Sequence, residues 1–555
     1  MVILQGIGVG DNISFGTLCF NEDGIEQVPK YKHDDLFAEK NRLETAVKNA
    51  ISETILLYEK TLSEGNEAEA GIFEVHKMML EDSDYLNSIS EIIQESGFNS
   101  EYAVAKASEK FSEMFLKMSD EYMRNRAADV KDIEMLILKY LVNKDLPKFS
   151  YDDDVIIFSN DLTPGEVSSM NKDFIKGCIL SQGSVSSHAS ILARVRDIPM
   201  VIGLNDCIKP EYEGMEVAID STEGKVYISP DTDTITKLKE KRELLGKKKE
   251  ALNNLKGKEN ITLDGYKINL YANIDSVNQI DDVLRSDAGG IGLFRSEFLF
   301  LNRDTCPSED EQFEAYKYVA EKMNGNNVII RTLDVGSDKN VDYFNFDKEE
   351  NPAMGHRGIR VCLDNPEIFI TQLCALYRAS AYGKISIMFP MITSIDEVKS
   401  AKRYAEIARQ RLTDKKISFD ENVKLGVMIE TPAAVMISDI LAKEVDFFSI
   451  GTNDLTQYTF AVDRQNSKVD KLFNPHNLAI LRMIKIAVEN AHAGGIWVGI
   501  CGEMAADDSL TEVFVSMGVD ELSMSASSVL KIRKKVLETN VEEIREEILK
   551  NLNVQ

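Results

Sequence analysis

The stretch Phe447-Phe448-Ser449-Ile450-Gly451-Thr452-Asn453-Asp454 joins a short apolar run directly to a polar, acidic turn. A run of this length bounded by turn-forming residues is typical of a buried strand in a parallel sheet. Side chains that directly follow such a strand lie at the carboxyl edge of the sheet, where α/β enzymes bind their ligands. The stretch therefore predicts both a strand and part of a ligand site.

Seven further segments after residue 261 have the same character, and helical patterns separate them. They are Ile268–Ala272, Gly290–Phe294, Val328–Ile330, Ile385–Phe389, Leu425–Ile429, Trp497–Ile500 and a weaker segment near Leu522. Eight strands alternating with helices over about 290 residues are typical of a (β/α)8 TIM barrel. We predict this barrel over residues 261–555, ending in a charged amphipathic helix over Val529–Leu552.

The N-terminal half predicts a multidomain α/β chain. Strands are indicated at Val2–Ile7 and Ile13–Phe20 and again after residue 150. Long helical patterns occupy the interval, and no proline occurs between Pro29 and Pro147. We expect a discontinuous α/β domain (1–22 and 145–229), an inserted α-helical bundle (23–144) and a lysine-rich, solvated linker helix (230–260).

The bulk composition excludes several classes of function. The chain of 555 residues has 92 acidic and 64 basic side chains, a net charge of −28 that disfavours binding to nucleic acid or anionic lipid. We find no N-terminal signal pattern and no apolar stretch near the ~20 residues of a transmembrane helix. Seven cysteines without CxxC spacing favour reduced thiols in the cytoplasm.

His188 is the strongest candidate nucleophile. It follows Gly183-Ser184-Val185-Ser186-Ser187 and precedes a helical apolar pattern, which predicts a position at a helix N-terminus. Free N–H groups and the helix dipole favour an anion there, and a neutral imidazole can accept a phosphoryl group. The alternative is a histidine that merely caps or packs.

Charged residues end several of the predicted barrel strands. Arg295 and Arg331 end two strands, and Arg464 follows a third; guanidinium groups bind phosphate and carboxylate oxygens in bidentate fashion. Glu430 and Asp454 are hard oxygen ligands that suit Mg²⁺ beside a substrate phosphate. The alternative for any one of them is a structural ion pair.

Cys501 ends another strand, before Gly502 and Glu503. A thiol can donate a proton to carbon, although a small buried apolar side chain is the usual role of a free cysteine. Together these residues fit one reaction: an enol phosphate loses its phosphoryl group to a histidine, and the remaining enolate is protonated.

The chain resembles the Enzyme I family of the phosphoenolpyruvate (PEP)-dependent sugar phosphotransferase system over nearly its whole length. The matching motifs are GIGLFRSEFLF (290–300), VIIRTLDVGSDK (328–339), EENPAMGHRGIR (349–360), VDFFSIGTNDLTQY (445–458), WVGICGEMA (497–505), RNRAADVKDI (124–133), DLTPGEVSSM (161–170) and SSHASILAR (186–194). The resemblance implies a swivelling phosphohistidine domain, a helical domain that binds the phosphocarrier protein HPr, and a homodimer formed through the barrel.

The resemblance also assigns roles by position. It implies that His188 is phosphorylated on Nε2 and that Cys501 protonates the enolate. The implied PEP ligands are Arg295, Arg331, Asn453, Asp454 and Arg464, with Arg357 and Lys339 on further motif positions, and the implied Mg²⁺ ligands are Glu430 and Asp454. Acidic candidates for HPr recognition are Glu67, Glu69, Glu74, Glu81, Asp82 and Asp84, for which a solvated helix face is the alternative.

The sequence departs from the family pattern at Val167, Ser184, Val185, Ser337 and His356. These departures lie near the histidine and in loops, so we expect them to affect rate and partner specificity more than reaction type. Two other functions stay open: an enzyme like pyruvate-phosphate dikinase, which needs an ATP-binding domain that we do not find, and a non-catalytic PEP sensor.

Overall fold

A computed structural model describes residues 1–553 except 22–29, 33–34, 64–66, 117–120, 143–153, 186, 302, 304, 338, 340, 345, 347–348, 465 and 467. The described chain divides into two compact units, Met1–Glu250 and Ala251–Gln555. Among the described residues, no helix combines the length and apolar character that crossing a bilayer requires.

The first unit is built on a mixed sheet for which the described residues supply eight strands. These are β1 (Val2–Gln5), β2 (Ile7–Val9), β3 (Ile13–Phe20), β4 (Val155–Ser159), β5 (Ile175–Leu180), β6 (Met200–Ile202), β7 (Glu216–Asp220) and β8 (Lys225–Ile228). Their spatial order is β1-β8-β7-β3-β4-β5-β6-β2. Because β3 pairs with both β4 and β7, the predicted association of the first twenty residues with the strands after residue 150 is confirmed.

The predicted strand Val2–Ile7 is wrong, because the chain breaks at Gly6 into two strands on opposite edges of the sheet. Strand β1 pairs with β8, whereas β2 pairs with β6. A Cβ atom on Gly6 would lie 2.5 Å from the carbonyl oxygen of Ile202, so the backbone crosses here at a distance that glycine permits. Because apolar residues lie on both sides of Gly6, the sequence predicts one continuous strand here.

Helices α1 to α5 form the predicted bundle between β3 and β4. They are α1 (Leu36–Ser63), α2 (Glu67–Leu80), α3 (Ser83–Ser96), α4 (Ser100–Leu116) and α5 (Glu121–Val142). Buried residues on facing helices, including Leu43, Ile89 and Ile137, make a common core. The bundle is thus held by amphipathic helix packing, as the periodicity predicts.

Helices α6 (Pro164–Ser169) and α7 (His188–Val195) lie in the first unit, and α8 (Thr232–Asn253) begins in it and ends just past its last residue. Helix α8 lies in the predicted linker and is less solvated than expected. Its Leu238 is buried with Ile13 and Ala218 of the sheet. Lys241 Nζ also donates to Asp220 Oδ2 at 2.6 Å, so one stripe of α8 packs while the other lysines stay exposed.

In the described part of the second unit, eight parallel strands close into a barrel. They are β9 (Asn269–Ile274), β10 (Gly290–Arg295), β11 (Asn327–Arg331), β12 (Ile385–Phe389), β13 (Lys424–Ile429), β14 (Phe447–Gly451), β15 (Trp497–Cys501) and β16 (Glu521–Met524). Strand β16 pairs with β9 and completes the circle. The predicted barrel and all eight of its predicted strands are confirmed.

Helices connect and follow these strands. They are α9 (Ile280–Arg285), α10 (Glu309–Lys322), α11 (Ile359–Asp364), α12 (Pro366–Ser380), α13 (Ile395–Asp414), α14 (Pro432–Met436), α15 (Ser438–Leu441), α16 (Thr452–Phe460), α17 (Leu478–Ala493), α18 (Asp508–Met517), α19 (Val529–Glu538) and α20 (Val541–Asn553). The predicted single helix Val529–Leu552 is wrong, because Thr539 is extended. The distant Asp264 carboxylate accepts the N–H groups of Val541 and Glu542 and so caps a separate helix.

The barrel interior is filled by side chains rather than open. Leu293, Met388, Met428 and Phe447 pack together there, and the Phe447 ring stacks on Trp497 with centroids 4.7 Å apart. Gly426 on the neighbouring strand makes room for Phe447, because a Cβ atom at this position would overlap the ring.

Gly426→Ala is therefore expected to lower the free energy of unfolding by about 1–3 kcal/mol, the usual cost of overpacking a filled core. Urea unfolding followed by tryptophan fluorescence measures this directly, since Trp497 is the single tryptophan of the chain. Gly289→Ala is the matched control: the nearest atom to its added Cβ lies at 3.5 Å, so we expect a change within about 0.5 kcal/mol. Equal losses in the two variants would contradict this account of the interior.

Candidate functional site

A cleft of about 890 Å³ opens at the carboxyl ends of the barrel strands. The barrel residues proposed as substrate ligands, metal ligands or proton donor all line this cleft. They are Arg295, Arg331, Lys339, Arg357, Glu430, Asn453, Asp454, Arg464 and Cys501. Their convergence on one face follows from the parallel strand order, because every strand delivers its last residue to the same rim.

The strand ends position these side chains directly. Arg295, Arg331 and Cys501 are the last residues of β10, β11 and β15. Glu430 follows β13, and the loop after β14 turns at once into α16. Asn453 and Asp454 thus stand in the first turn of that helix, facing the cleft.

A buried carboxylate, Asp334, organises the cationic side of the cleft. Asp334 is 1% exposed, and its Oδ2 lies 3.1 Å from Arg331 Nη1 and 2.9 Å from Arg357 Nη2. Arg331 also donates to Glu297 Oε1 at 2.6 Å, and Arg357 Nη1 donates to the Tyr458 hydroxyl at 3.4 Å. Two guanidinium groups are thus fixed in orientation at the floor of the cleft.

Neighbouring opposite charges favour the charged forms of Asp334 and Arg331. Burial by itself raises the pKa of Asp334, but the charges of Arg331 and Arg357 outweigh it and hold that pKa well below the usual range. Burial by itself lowers the pKa of Arg331, but the carboxylates of Glu297 and Asp334 outweigh burial and raise that pKa above its usual value. Each buried charge is therefore compensated by its neighbours, as buried charges require.

The remaining cations are held more loosely. Arg295 pairs with Asp275, and Lys339 Nζ donates to the carbonyl oxygen of Asp334 at 2.9 Å. Arg464 is exposed, and only its backbone N–H is fixed, by Gln457 Oε1 at 3.3 Å, as far as the described residues go. The cleft therefore combines guanidinium groups held by ion pairs with an exposed one at its edge, an arrangement that suits a small dianion.

Glu430 and Asp454 form the acidic side of the cleft. Glu430 is 1% exposed, and its Oε1 accepts the N–H of Met391 at 2.6 Å. Burial raises the pKa of Glu430, and the nearby carboxylates of Asp454 and Asp334 raise it further. Crowded carboxylate oxygens that disfavour one another's charge are the donor set a divalent cation relieves. These two residues therefore fit a Mg²⁺ ion.

Cys501 lies where the cleft meets the barrel interior. It is 3% exposed, and its Sγ accepts a hydrogen bond from the Ser449 hydroxyl at 3.0 Å. Burial raises the pKa of Cys501 to about 12. The sulfur is therefore a protonated thiol at neutral pH, able to donate a proton but not poised as a thiolate nucleophile.

His188 belongs to the first unit and is the first residue of α7, as predicted. The Ser187 hydroxyl caps this helix by accepting the N–H of Ser190 at 3.2 Å. The side chain of His188 lies outside the described atoms. Val167 lies in α6 and is fully buried in the apolar core of the first unit, so this departure from the family pattern places an apolar side chain in a packed position.

The acidic residues proposed for partner binding divide into different groups. Glu74, Glu81 and Asp84 are exposed. Asp82 is also exposed, but its carboxylate accepts the N–H groups of Asp84 and Tyr85 and caps α3. The side chains of Glu67 and Glu69 lie outside the described atoms.

Sequence reasoning missed the anions that hold the arginines. Glu297 and Asp334 each contact a guanidinium in the cleft, and Asp275 pairs with Arg295. A signal was present, because Glu297 follows Arg295 by two residues and Asp334 follows Arg331 by three. Acidic residues this close to a functional arginine at a strand end are natural candidates to orient it.

Comparison with known proteins agrees with this geometry. The family described as "PEP-utilising enzyme, PEP-binding domain" matches residues 249–541. The families described as "PEP-utilising enzyme, N-terminal" and "PEP-utilising enzyme, mobile domain" match residues 5–126 and 151–224. The three matches together span most of the chain.

Relatives over almost the full length carry one name. The phosphoenolpyruvate-protein phosphotransferase of Staphylococcus carnosus (strain TM300) is 42% identical over 478 residues, covering 86% of this chain and 83% of its own. That of Bacillus subtilis (strain 168) is 39% identical over 550 residues, covering 98% and 96%. That of Listeria monocytogenes is 38% identical over 550 residues, with the same coverage. The chain therefore belongs to the phosphoenolpyruvate-protein phosphotransferase family of PEP-utilising enzymes.

Proposed function

We propose that this enzyme transfers the phosphoryl group of PEP to its own His188 and then to a histidine of HPr, releasing pyruvate as the first step of sugar uptake. One observation carries the proposal: fixed guanidinium groups, paired carboxylates and a buried thiol converge on one cleft at the carboxyl end of the barrel. This is the combination that binding a phosphate and a carboxylate, and then protonating an enolate, requires.

The arginines bind and orient the substrate in this scheme. Arg331 and Arg357 are held by Asp334 before the substrate arrives, so little reorganisation is needed when negative charge moves in the reaction. Arg295, Arg464 and Lys339 add positive charge at the edge, and Asn453 supplies an amide to a substrate oxygen. Preorganised cations of this kind are the main protein contribution to phosphoryl transfer.

Glu430 and Asp454 are the residues that would hold Mg²⁺. When bound, the ion neutralises phosphate charge that the arginines alone leave uncompensated. Asp454 also faces Arg357, with Oδ2 4.0 Å from Nη2, so it couples the acidic and cationic sides of the cleft.

His188 is the phosphoryl acceptor in the proposal. A neutral imidazole nitrogen attacks phosphorus, the phosphorus–oxygen bond to the enol breaks, and the enolate oxygen keeps the electron pair. The N-terminal end of α7 favours the phosphorylated side chain through its free N–H groups. Because His188 is tethered to the barrel through the same chain, its encounter with PEP is intramolecular.

The helical bundle is the proposed docking surface for HPr. Exposed acidic residues on α2, on α3 and in the turn between them support recognition of a basic partner; they include Glu74, Asp84 and, in the turn, Glu81. We further propose a homodimer formed through the barrel and a cytoplasmic location, both of which rest on the family resemblance.

His188→Ala is expected to abolish phosphoenzyme formation because no other group accepts the phosphoryl moiety in the scheme. Incubation with ³²P-labelled PEP and Mg²⁺, followed by a test for acid-labile, base-stable phosphate, measures the product. Equilibrium dialysis should show that the variant still binds PEP. Label retained on His188→Ala would overturn the assignment.

Arg464→Ala is expected to raise the Kd for PEP by about 10-fold or more, the worth of a charge-assisted hydrogen bond, without changing the Tm. The residue is exposed and its guanidinium supports nothing else that the structure describes. Arg331→Ala serves as the contrast and should lower both affinity and Tm, since Asp334 and Glu297 lose a partner. Calorimetry of binding and of unfolding separates the two outcomes; a matching loss of stability in both variants would refute this division.

Cys501→Ala is expected to retain phosphohistidine formation while slowing protonation of the enolate on the enzyme by about 100-fold or more, the usual effect of removing a general acid. Rapid quench measures the phosphoenzyme, and enolpyruvate released before it is protonated is detected by its ultraviolet absorbance. Pyruvate formation at the native rate would return Cys501 to a packing role.

A further inference from the structure

Glu521 is a buried carboxyl group in the barrel interior that the reaction described above does not use. It is the first residue of β16 and is 1% exposed. Among the described residues, neither of its side-chain oxygens has a hydrogen-bond partner. A buried polar group without a partner costs stability, so its presence in a packed barrel needs a reason.

Two glycines on neighbouring strands make the space for this carboxyl group. A Cβ atom on Gly292 of β10 would overlap Glu521 Oε1, and one on Gly499 of β15 would overlap Oε2. Any larger residue at either position would displace the carboxyl group. The barrel therefore holds Glu521 in a fitted slot between two strands.

The slot lies directly beneath Cys501. Strands β15 and β16 pair Gly499 with Glu521 and Cys501 with Ser523. Gly499 and Cys501 are two residues apart and face the same side of their strand, a spacing of about 6–7 Å. The Glu521 carboxyl group and the Cys501 sulfur are thus neighbours in the barrel interior, close enough for one water molecule to relay a proton between them.

The groups that face Glu521 leave its acid form favoured. Burial raises the pKa of Glu521 to about 8, and the carboxylate of Asp520, which directly precedes β16, adds to the shift. Tyr271 on β9 and Cys501 on β15 are the other titratable groups within its electrostatic reach. Neither carries positive charge, and β10 contributes Gly292 at this point. Glu521 is thus predominantly a carboxylic acid at neutral pH.

We propose that Glu521 is a positioning residue for Cys501, whose sulfur it keeps supplied with a proton. The inference rests on the proposed function. When Cys501 gives its proton to the enolate carbon, the S–H bond breaks, a C–H bond forms and the negative charge moves to sulfur. The Glu521 O–H proton then passes to the sulfur and leaves a carboxylate, which regains a proton from solvent before the next turnover. Transfer from a carboxylic acid to a thiolate of higher pKa is downhill.

The test uses the exchange of [¹⁴C]pyruvate into PEP by the full-length enzyme with Mg²⁺ in D₂O, which needs no partner protein. Carbon exchange reports phosphoryl transfer in both directions, whereas deuterium entering the pyruvate methyl group reports renewal of the Cys501 proton from solvent. For Glu521→Gln and Glu521→Met we expect carbon exchange within about twofold of the native rate, and deuterium incorporation at least about tenfold slower, the loss of a proton-transfer group.

The two readouts separate the possible failures. Native enzyme that exchanges no carbon contradicts the proposed function itself. Variants that incorporate deuterium at the native ratio to carbon exchange overturn the role of Glu521 and leave the proposed function standing. Variants in which both exchanges fall in parallel also overturn it, because a merely structural defect slows every step alike.

Thermal unfolding of the same variants tests the premise about burial. The folded pKa of Glu521 lies above that of an exposed glutamate, so its contribution to stability is greatest below about pH 4 and is lost as the pH rises through about 8. Glu521→Met should therefore have a higher Tm than native protein at pH 8 and a smaller gain at pH 5. A lower Tm at pH 8 would mean that the carboxyl group has a stabilising partner and would overturn the proposal.

Discussion

The cleft at the carboxyl end of the barrel depends on the buried charge of Asp334. Arg331 at the end of β11 and Arg357 in the segment before α11 share this one carboxylate, and without it their like charges would repel one another at buried positions. Glu297 plays the same part for the outer face of Arg331. Buried ion pairs therefore fix the positive charges of the cleft in place before any substrate binds. Charges fixed in this way need little reorientation when negative charge develops in a reaction.

Much of this arrangement follows from local sequence. Each barrel strand is a short apolar run with a polar exit, so counting such runs locates the strands, and parallel order then brings Arg295, Arg331, Glu430 and Cys501 to one rim. The position of His188 was equally readable, because serine before an apolar helical pattern is a capping signal. The fold class and the cleft residues can thus be predicted where an apolar run marks a strand and a polar residue directly follows it.

The remainder depends on contacts between distant residues. The break at Gly6 is set by Ile202, and the division of the last helical segment by Asp264, so neither appears in a window of neighbouring residues. In the sequence, Glu521 follows the acidic Asp520 and nothing nearby indicates burial. Its enclosure depends on Gly292 and Gly499, which lie on two other strands. Local patterns identify elements, whereas closure of the barrel decides which side chains are sealed within it.

The separation of β1 and β2 to opposite edges of their sheet has a consequence for biosynthesis. The first twenty residues leave the ribosome without pairing partners: β3 waits for residues 155–158, and β1 for residues 225–228. The helices between them are joined by short-range contacts and can pack as soon as they emerge. The inserted bundle can therefore fold before its host sheet is complete, whereas β1, β2 and β3 keep unpaired edges until most of the first unit has been synthesised.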